Sequence, residues 1–254
     1  MSGSKAALTI YSVAACPYAQ RTRILLHLKG LQADLVELDL SKPRPSWFLD
    51  INPEGKVPAL VHDGRALNES SVINEYLEDV FPDRAVFPSD PYLKAQSRIL
   101  IDYCNTQFTT NLYRVLMEQD PVRRERIEAA ARKDWEWLER FLMRVSPDAS
   151  FAFAEFGMAD LTYAPFFQRY ELNEYFWSFR IPDGLKRVAQ WRRALADHPS
   201  VEATSLPMED YAKLYADYAL GFSNGAIPPG HERSALDPTV PLSERPMPPR
   251  RVAA

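Results

Sequence analysis

A cysteine followed by a proline, Cys16-Pro17-Tyr18-Ala19-Gln20-Arg21, stands between a short apolar run, residues 8–12 (LTIYS), and a segment where Ile24, Leu25 and Leu28 recur at helical spacing. The run predicts a β-strand and the segment a helix ending at Gly30, which places Cys16 at the helix N-terminus. There a sulfur meets backbone N–H groups that lack intrahelical partners and the positive end of the helix dipole, both of which favour thiolate over thiol. Pro17 suits the first helical turn, where its missing N–H costs nothing. Arg21 and Arg23 can add positive field, depending on where they point. The competing reading is a small buried hydrophobe, inert as many free cysteines are. A dithiol redox site of the C-x-x-C type would need a second cysteine where Ala19 stands, so an adduct on Cys16 would have to be released by an external thiol. Cys104, the only other cysteine, falls in a later helical stretch and reads as a residue of a helix face.

Two further groups carry polar chemistry. Glu69-Ser70-Ser71 precedes residues 72–80 (VINEYLEDV), whose Val72, Ile73, Tyr76 and Leu77 form one apolar helix face. A serine there can cap the helix; equally, Ser70 can offer a hydroxyl and backbone donors to a carboxylate while Glu69 offers an acceptor to an ammonium group. Further along, Tyr211, Tyr215 and Tyr218 share one face of a helix predicted over 207–220, and Tyr113 lies on the first of the long helices. An aromatic stripe of that spacing serves either as core or as the wall of an apolar pocket. The four histidines and the scattered carboxylates show no metal-ligand spacing, and no phosphate-cradling glycine loop occurs, so neither a metal nor a nucleotide is expected.

The elements that must position these residues divide the chain in two. After the first strand and helix come a second strand at 35–40 (LVELDL), a proline-broken loop at 41–48 (SKPRPSWF), and 56–68 (KVPALVHDGRALN), where Asp63-Gly64 joins two short strands as a hairpin. With the helix after Glu69 the order is βαβββα, or βαβαββα if the loop holds a helical turn. Three prolines in 81–91 (FPDRAVFPSDP) mark a linker. From Tyr92 to about Met143 two helical stretches, broken near Asp120-Pro121, follow one another, and the second carries Trp135, Leu138 and Phe141 at helical spacing. Further helices fit 158–170, 184–197 and 207–220, with no strand between them. The expected fold class is therefore α/β plus all-α: an α/β domain over 1–80, a linker at 81–90, an α-helical domain over 91–220 and a proline-rich extension over 221–254.

Composition narrows the partners. The 254 residues are 46% hydrophobic and 25% charged, enough to bury a core, and 30 Lys plus Arg against 34 Asp plus Glu leave no basic field for nucleic acid. No apolar run is long enough to span a bilayer. Lys5 and the run Val13-Ala14-Ala15-Cys16 superficially resemble a secretion signal ending in a lipidated cysteine, but cleavage there would delete the first strand. With two distant cysteines and no disulfide framework, a cytoplasmic, reducing location is expected.

Taken in order, Cys16-Pro17-Tyr18-Ala19-Gln20-Arg21, then Lys56-Val57-Pro58-Ala59-Leu60, then Asn68-Glu69-Ser70 opening a helix, then a proline linker and an α-helical half, resemble the omega-class and omega-like cysteine glutathione transferases over residues 8 to about 220. The stretches 213–230 (KLYADYALGFSNGAIPPG) and 245–250 (RPMPPR) look like the C-terminal extension of the bacterial omega-like glutathione lyase branch of lignin β-aryl-ether breakdown. The resemblance implies a thioredoxin-like N-terminal domain, a homodimer, glutathione as co-substrate and Cys16 as nucleophile. It implies glutathione contacts from Pro17, Tyr18, Lys56 and Val57, with Val57 pairing its backbone to the cysteinyl part ahead of a cis Pro58, and Glu69 and Ser70 on the γ-glutamyl end. The glycyl end would take Lys42, with Arg44 as competitor. Tyr113, Tyr211, Tyr215 and Tyr218 would line the site of a small, aromatic, glutathionylated substrate. The expected activity is removal of glutathione from α-keto aromatic conjugates; general thiol transfer, dehydroascorbate reduction and a non-enzymatic binding protein of the same fold are the alternatives.

Overall fold

The computed structural model describes residues 8–39, 42–221 and 240–250, which fall into two compact units. The first comprises the described residues up to Val86 together with Pro199–Ser205. Strand β1 (Leu8–Ser12) leads into α1 (Pro17–Lys29), followed by β2 (Asp34–Glu37), α2 (Ser46–Ile51), β3 (Ala59–His62), β4 (Arg65–Asn68) and α3 (Ser70–Val80). The proline-broken loop therefore does hold a helical turn, and β2 begins and ends earlier than the apolar run 35–40 suggested. The sheet order is β2-β1-β3-β4; β1 runs parallel to β2 and antiparallel to β3, which pairs antiparallel with β4.

Alternation along the strands decides what covers each face. Ile10 of β1 pairs with Leu60 of β3, and these fully buried side chains accompany Ile24, Leu25, Ile73 and Leu77 of α1 and α3 in the core. Tyr11 and Ala59, one residue along, point the other way and pack with Phe48 of α2. Helix α1 ends as expected: Gly30 takes φ 65° and its N–H bonds the carbonyls of Leu26 and His27, a left-handed cap that a Cβ would strain. Asp63 and Gly64 both adopt positive φ, 49° and 75°, as a two-residue hairpin turn requires. The segment 199–205 closes against α1, with Gln20 Nε2 donating to Ser205 Oγ at 3.1 Å and His27 Nδ1 at 3.0 Å from Ser200 Oγ.

The second unit holds Phe87–His198 and the described residues from Leu206 onward, so the boundary lies inside the expected linker and 199–205 departs from the expected helical domain. Its helices are α4 (Pro91–Tyr103), α5 (Thr109–Met117), α6 (Pro121–Val145), α7 (Met158–Trp177), α8 (Lys186–Ala196), α10 (Met208–Leu214) and α11 (Ala216–Ala219); the one-turn α9 (Pro199–Glu202) sits in the first unit. A π-helical turn, Cys104–Phe108, joins α4 to α5. The core is aromatic: Trp135, Phe108, Tyr163, Phe167, Tyr170 and Trp191 are all buried and pack ring against ring at 4.6–5.7 Å between centroids. The helix expected over 207–220 is broken, because Tyr215 sits between α10 and α11 with φ −98° and ψ 3°. The extension was expected over 221–254; 222–239 and 251–254 lie outside the described residues, while 240–250 are tied to this unit by Lys213 Nζ on the Leu242 carbonyl (2.8 Å) and the Tyr175 hydroxyl on the Pro248 carbonyl (2.5 Å).

Asp160 anchors this unit from inside. Its fully buried carboxylate accepts from Ala152 N–H (2.8 Å), Gly157 N–H (2.9 Å) and Trp191 Nε1–H (2.6 Å). Burial pushes its pKa up to about 6, against the opposing pull of those donors. An acid whose folded pKa is raised holds its proton in the folded chain while the unfolded chain has already released it, so stability falls as pH rises from about 4 to 6. Asp160→Ala should leave three buried N–H donors without acceptors and lower stability by about 3–5 kcal/mol at pH 7. Urea denaturation of both proteins at pH 4.5, 6 and 7.5 checks this: the variant should lose part of the pH dependence between 4 and 6, and an unchanged midpoint at pH 7.5 would refute the anchoring role.

Candidate active site

Cys16 is the residue at which α1 begins. Its φ of −72° and ψ of 118° are extended, the first intrahelical bond runs from Gln20 N–H to its carbonyl (3.0 Å), and Pro17 occupies the first helical position. Its own N–H bonds the Val13 carbonyl at 2.9 Å, closing a turn that brings the chain out of β1. The side chain is partly exposed and lies 3.7 Å from the carbonyl oxygen of Val57. That contact joins the expected nucleophile to the segment expected to pair with the cysteinyl backbone of glutathione, and the Val57–Pro58 bond is cis. Cys104 is fully buried in the other unit, its sulfur 3.9 Å from the Thr162 carbonyl, as expected of a residue on a helix face. The core reading fits Cys104, whereas Cys16 stands partly exposed at the helix mouth.

The start of α3 differs from the expectation of a serine cap. Glu69 occupies the cap position, with no side-chain hydrogen bond to the helix, and Ser70 is the first helical residue. Glu69 holds φ 65° and ψ 110°, a conformation costly for a residue with a side chain, and it is exposed. Ser70 is buried, and the Arg21 guanidinium, itself 1% exposed, stands 3.4 Å from its hydroxyl. Arg21 also lies 5.2 Å over the exposed ring of Tyr18. One helix thus carries the thiol at its mouth and, a turn later, the cation beside Ser70. Strain at Glu69 and a buried arginine beside a serine hydroxyl are more than helix capping requires.

The loop residues divide by what they hold. Arg44 donates to the Gly55 carbonyl (2.9 Å) and the Lys42 carbonyl (3.0 Å), pinning the loop, whereas Lys42 is largely exposed and pairs with Asp39 at 3.1 Å. Lys56 is also exposed; Glu54, 2.6 Å away, hydrogen-bonds its ammonium and raises its pKa. Asn52 was missed by sequence reasoning. It is buried, donates to the Lys56 carbonyl at 2.8 Å, and accepts from Asn68 Nδ2 at 3.1 Å and Glu54 N–H at 3.2 Å, so it shapes the turn that leads into Val57. The turn signature Asn52-Pro53-Glu54-Gly55 was the only available hint.

In the helical unit Tyr113, Tyr215 and Tyr218 do come together: ring centroids are 6.5 Å apart for Tyr113 and Tyr215, 5.8 Å for Tyr113 and Tyr218, and 5.2 Å for Tyr215 and Tyr218. Tyr113 and Tyr218 are half-buried. Tyr211 is placed otherwise; it is fully buried, its hydroxyl accepts from Leu206 N–H at 3.0 Å, and the Arg169 guanidinium stacks 3.8 Å over its ring. Arg169 is itself fully buried. Desolvation works against its charge, but the phenolic oxygens of Tyr215, Tyr211 and Tyr113, with a hydrogen bond to Tyr215, outweigh it and raise its pKa. Among the described residues no three His, Cys, Asp or Glu side chains are grouped to hold a metal ion, and no helix is long and apolar enough to cross a membrane.

A four-stranded sheet carrying a cysteine at the mouth of α1 and a cis proline before β3, followed by a helical unit, defines a class, and comparison with known sequences agrees. Residues 15–80 match the N-terminal domain model of glutathione S-transferases and residues 121–194 match the C-terminal one. The chain belongs to the glutathione transferase family. Within it the kinship is with the omega type: a probable glutathione transferase omega-2 of Caenorhabditis briggsae is 31% identical over 224 residues, 85% of this chain and 87% of the relative. The crystal structure of glutathione transferase Omega 3C from Trametes versicolor, 30% identical, superposes with a TM-score of 0.73 over 83% of this chain and 89% of that one. Rice GST1, solved in complex with glutathione, is 25% identical and gives a TM-score of 0.73 over 86% of this chain and 97% of its own.

Proposed function

We propose that this omega-type transferase works as a cysteine enzyme that removes glutathione from conjugates, with α-thioethers of aryl ketones as the favoured substrates. The observation that carries this is the placement of Cys16: at the N-terminus of a 13-residue helix, partly exposed, with its sulfur 3.7 Å from Val57 O. The Cys16 thiolate attacks the glutathione sulfur of the conjugate. The new S–S bond forms as the C–S bond breaks, and the electron pair of that bond passes to the α-carbon and ketone oxygen as an enolate, which takes up a proton to leave the ketone. A second glutathione thiolate then attacks the mixed disulfide at the glutathione sulfur, releasing oxidised glutathione and the Cys16 thiolate. One conjugate and one glutathione thus yield one ketone, its α-carbon now bearing hydrogen in place of sulfur, and one glutathione disulfide.

In this reading the γ-glutamyl end lies at α3, with Ser70 toward its carboxylate and the exposed Glu69 toward its ammonium. Lys42 is the better partner for the glycyl carboxylate, because Arg44 is engaged by two backbone carbonyls. Tyr113, Tyr215 and Tyr218, grouped within the helical unit, are the candidates to recognise the aryl group. General thiol transfer on mixed disulfides uses the same thiol and is the second reading, favoured by the omega-type kinship. A panel of glutathionyl aryl ketones, mixed disulfides and dehydroascorbate, assayed with the purified protein, separates them: the lyase reading requires the ketones to be turned over faster than the disulfides.

Ser70→Ala should weaken glutathione binding by on the order of 1–3 kcal/mol, through loss of a charge-assisted hydrogen bond. Because Ser70 is not the cap, stability should fall by less. Titration calorimetry beside a melting curve decides: unchanged affinity with a lowered Tm would assign Ser70 to the helix alone.

A further inference from the structure

We infer that Arg23 is a positioning residue for the nucleophile: its guanidinium clamps the turn between β1 and α1 and thereby sets where Cys16 presents its sulfur. The inference rests on the reading of Cys16 given above. From the second turn of α1, Arg23 reaches back to three acceptors in consecutive residues, with Nη1 2.8 Å from Ser12 Oγ and 3.0 Å from the Val13 carbonyl, and Nη2 2.8 Å from the Ala14 carbonyl. The Val13 carbonyl is the one that accepts the Cys16 N–H, so the group that fixes the Cys16 amide is itself fixed by Arg23. On the opposite polarity, the Ala14 N–H donates to the Glu37 carboxylate of β2. Both backbone groups of Ala14 are therefore held by charged side chains, one from the helix and one from the sheet.

Val13, Ala14 and Ala15 have no polar side chains with which to hold themselves, and surface turns ordinarily satisfy such carbonyls with water. Charge-assisted bonds from a planar fork define a single geometry in a way that water does not. This matters because Cys16, as the cap residue, lies outside the helix proper and takes its ψ of 118° from the turn. A nucleophile displaced by about 1 Å from its line of approach loses on the order of a hundredfold in rate. The same guanidinium leaves its positive charge two residues from the thiol, bonded to Ala14. Lysine in its place would keep the charge but carry all its donors on one nitrogen, whereas Arg23 spans its three acceptors from two separate nitrogens of a rigid plane.

Arg23→Lys and Arg23→Gln separate the two contributions. Three readouts are needed: kcat and KM for glutathione transfer, the pH profile of Cys16 alkylation by iodoacetamide followed on its own peptide, and amide hydrogen exchange at Ala14 and Cys16. In Arg23→Lys, kcat should fall on the order of ten- to a hundredfold with KM for glutathione within about threefold, and the alkylation profile should stay in place. In Arg23→Gln, kcat should fall at least as far and the alkylation profile should also move to higher pH. A kcat within twofold of the original in both variants, or losses carried by KM alone, would overturn the inference. If Arg23→Gln does not fold, hydrogen exchange in the unsubstituted protein and in Arg23→Lys still decides. The Cys16 amide should be protected in the first and exchange at least tenfold faster in the second, and an unprotected Cys16 amide in the unsubstituted protein counts against the clamp. Should Cys16→Ser retain transfer activity, the nucleophile reading fails, while the alkylation and exchange data continue to judge Arg23.

Discussion

Cys16→Ser should abolish deglutathionylation, by on the order of a thousandfold or more on every substrate class, while leaving glutathione binding within a few-fold and the fold intact. The hydroxyl is isosteric enough to keep the turn from Val13 and the start of α1, but at neutral pH it supplies almost no anion, and a helix N-terminus cannot make up that difference. The loss should be common to ketone conjugates and mixed disulfides because both reactions begin with the same S–S bond to Cys16. Alkylation kinetics give the matching positive result: the thiol should titrate well below ~8.5, the ordinary cysteine value. Retention of transfer by the serine variant, or a titration near that ordinary value, would remove Cys16 from the mechanism. Glutathione binding by calorimetry guards against a trivial outcome, since a variant that no longer binds has lost more than its nucleophile.

The second large effect is expected at the tyrosines of the helical unit. Tyr215→Phe or Tyr218→Phe keeps the ring stack and deletes only a hydroxyl, so packing, with centroids 5.2 Å apart, should survive. Tyr215 is hydrogen-bonded to the buried Arg169, and a guanidinium donating to a phenolic oxygen strengthens that phenol as a donor to a second group. If such a phenol meets the ketone oxygen as enolate charge develops, its removal should lower kcat on glutathionyl aryl ketones by on the order of ten- to a thousandfold, with disulfide substrates little affected. Tyr215 is the stronger candidate on the Arg169 contact; Tyr218, half-buried, is the more accessible. Steady-state kinetics on both substrate classes provide the check. Equal losses on the two classes, or no loss on either, would favour general thiol transfer over lyase chemistry.

How much of this was legible before the structure varied with the range of the interactions involved. Local rules sufficed for β1, for α1 with Cys16 at its mouth and Gly30 at its end, and for the Asp63-Gly64 hairpin, because each depends on residues within one turn or one strand. For α3 propensity offered a serine as the cap; the structure puts Glu69 there with φ 65°, a conformation that neighbours must impose and that no propensity predicts. The long helix expected over 207–220 breaks at Tyr215, and Tyr211 is withdrawn to stack on Arg169, a residue some forty positions earlier, so the shared face read from spacing did not survive packing. Arg21 and Arg23 show the divide most clearly. Their positive charge was evident from the sequence, but a side chain of that length can reach in any direction. Only the fold sends Arg21 to Ser70, in a distant segment, and Arg23 back along its own helix to the turn before Cys16, because only the packed chain fixes which acceptors stand within 3.4 Å of each guanidinium.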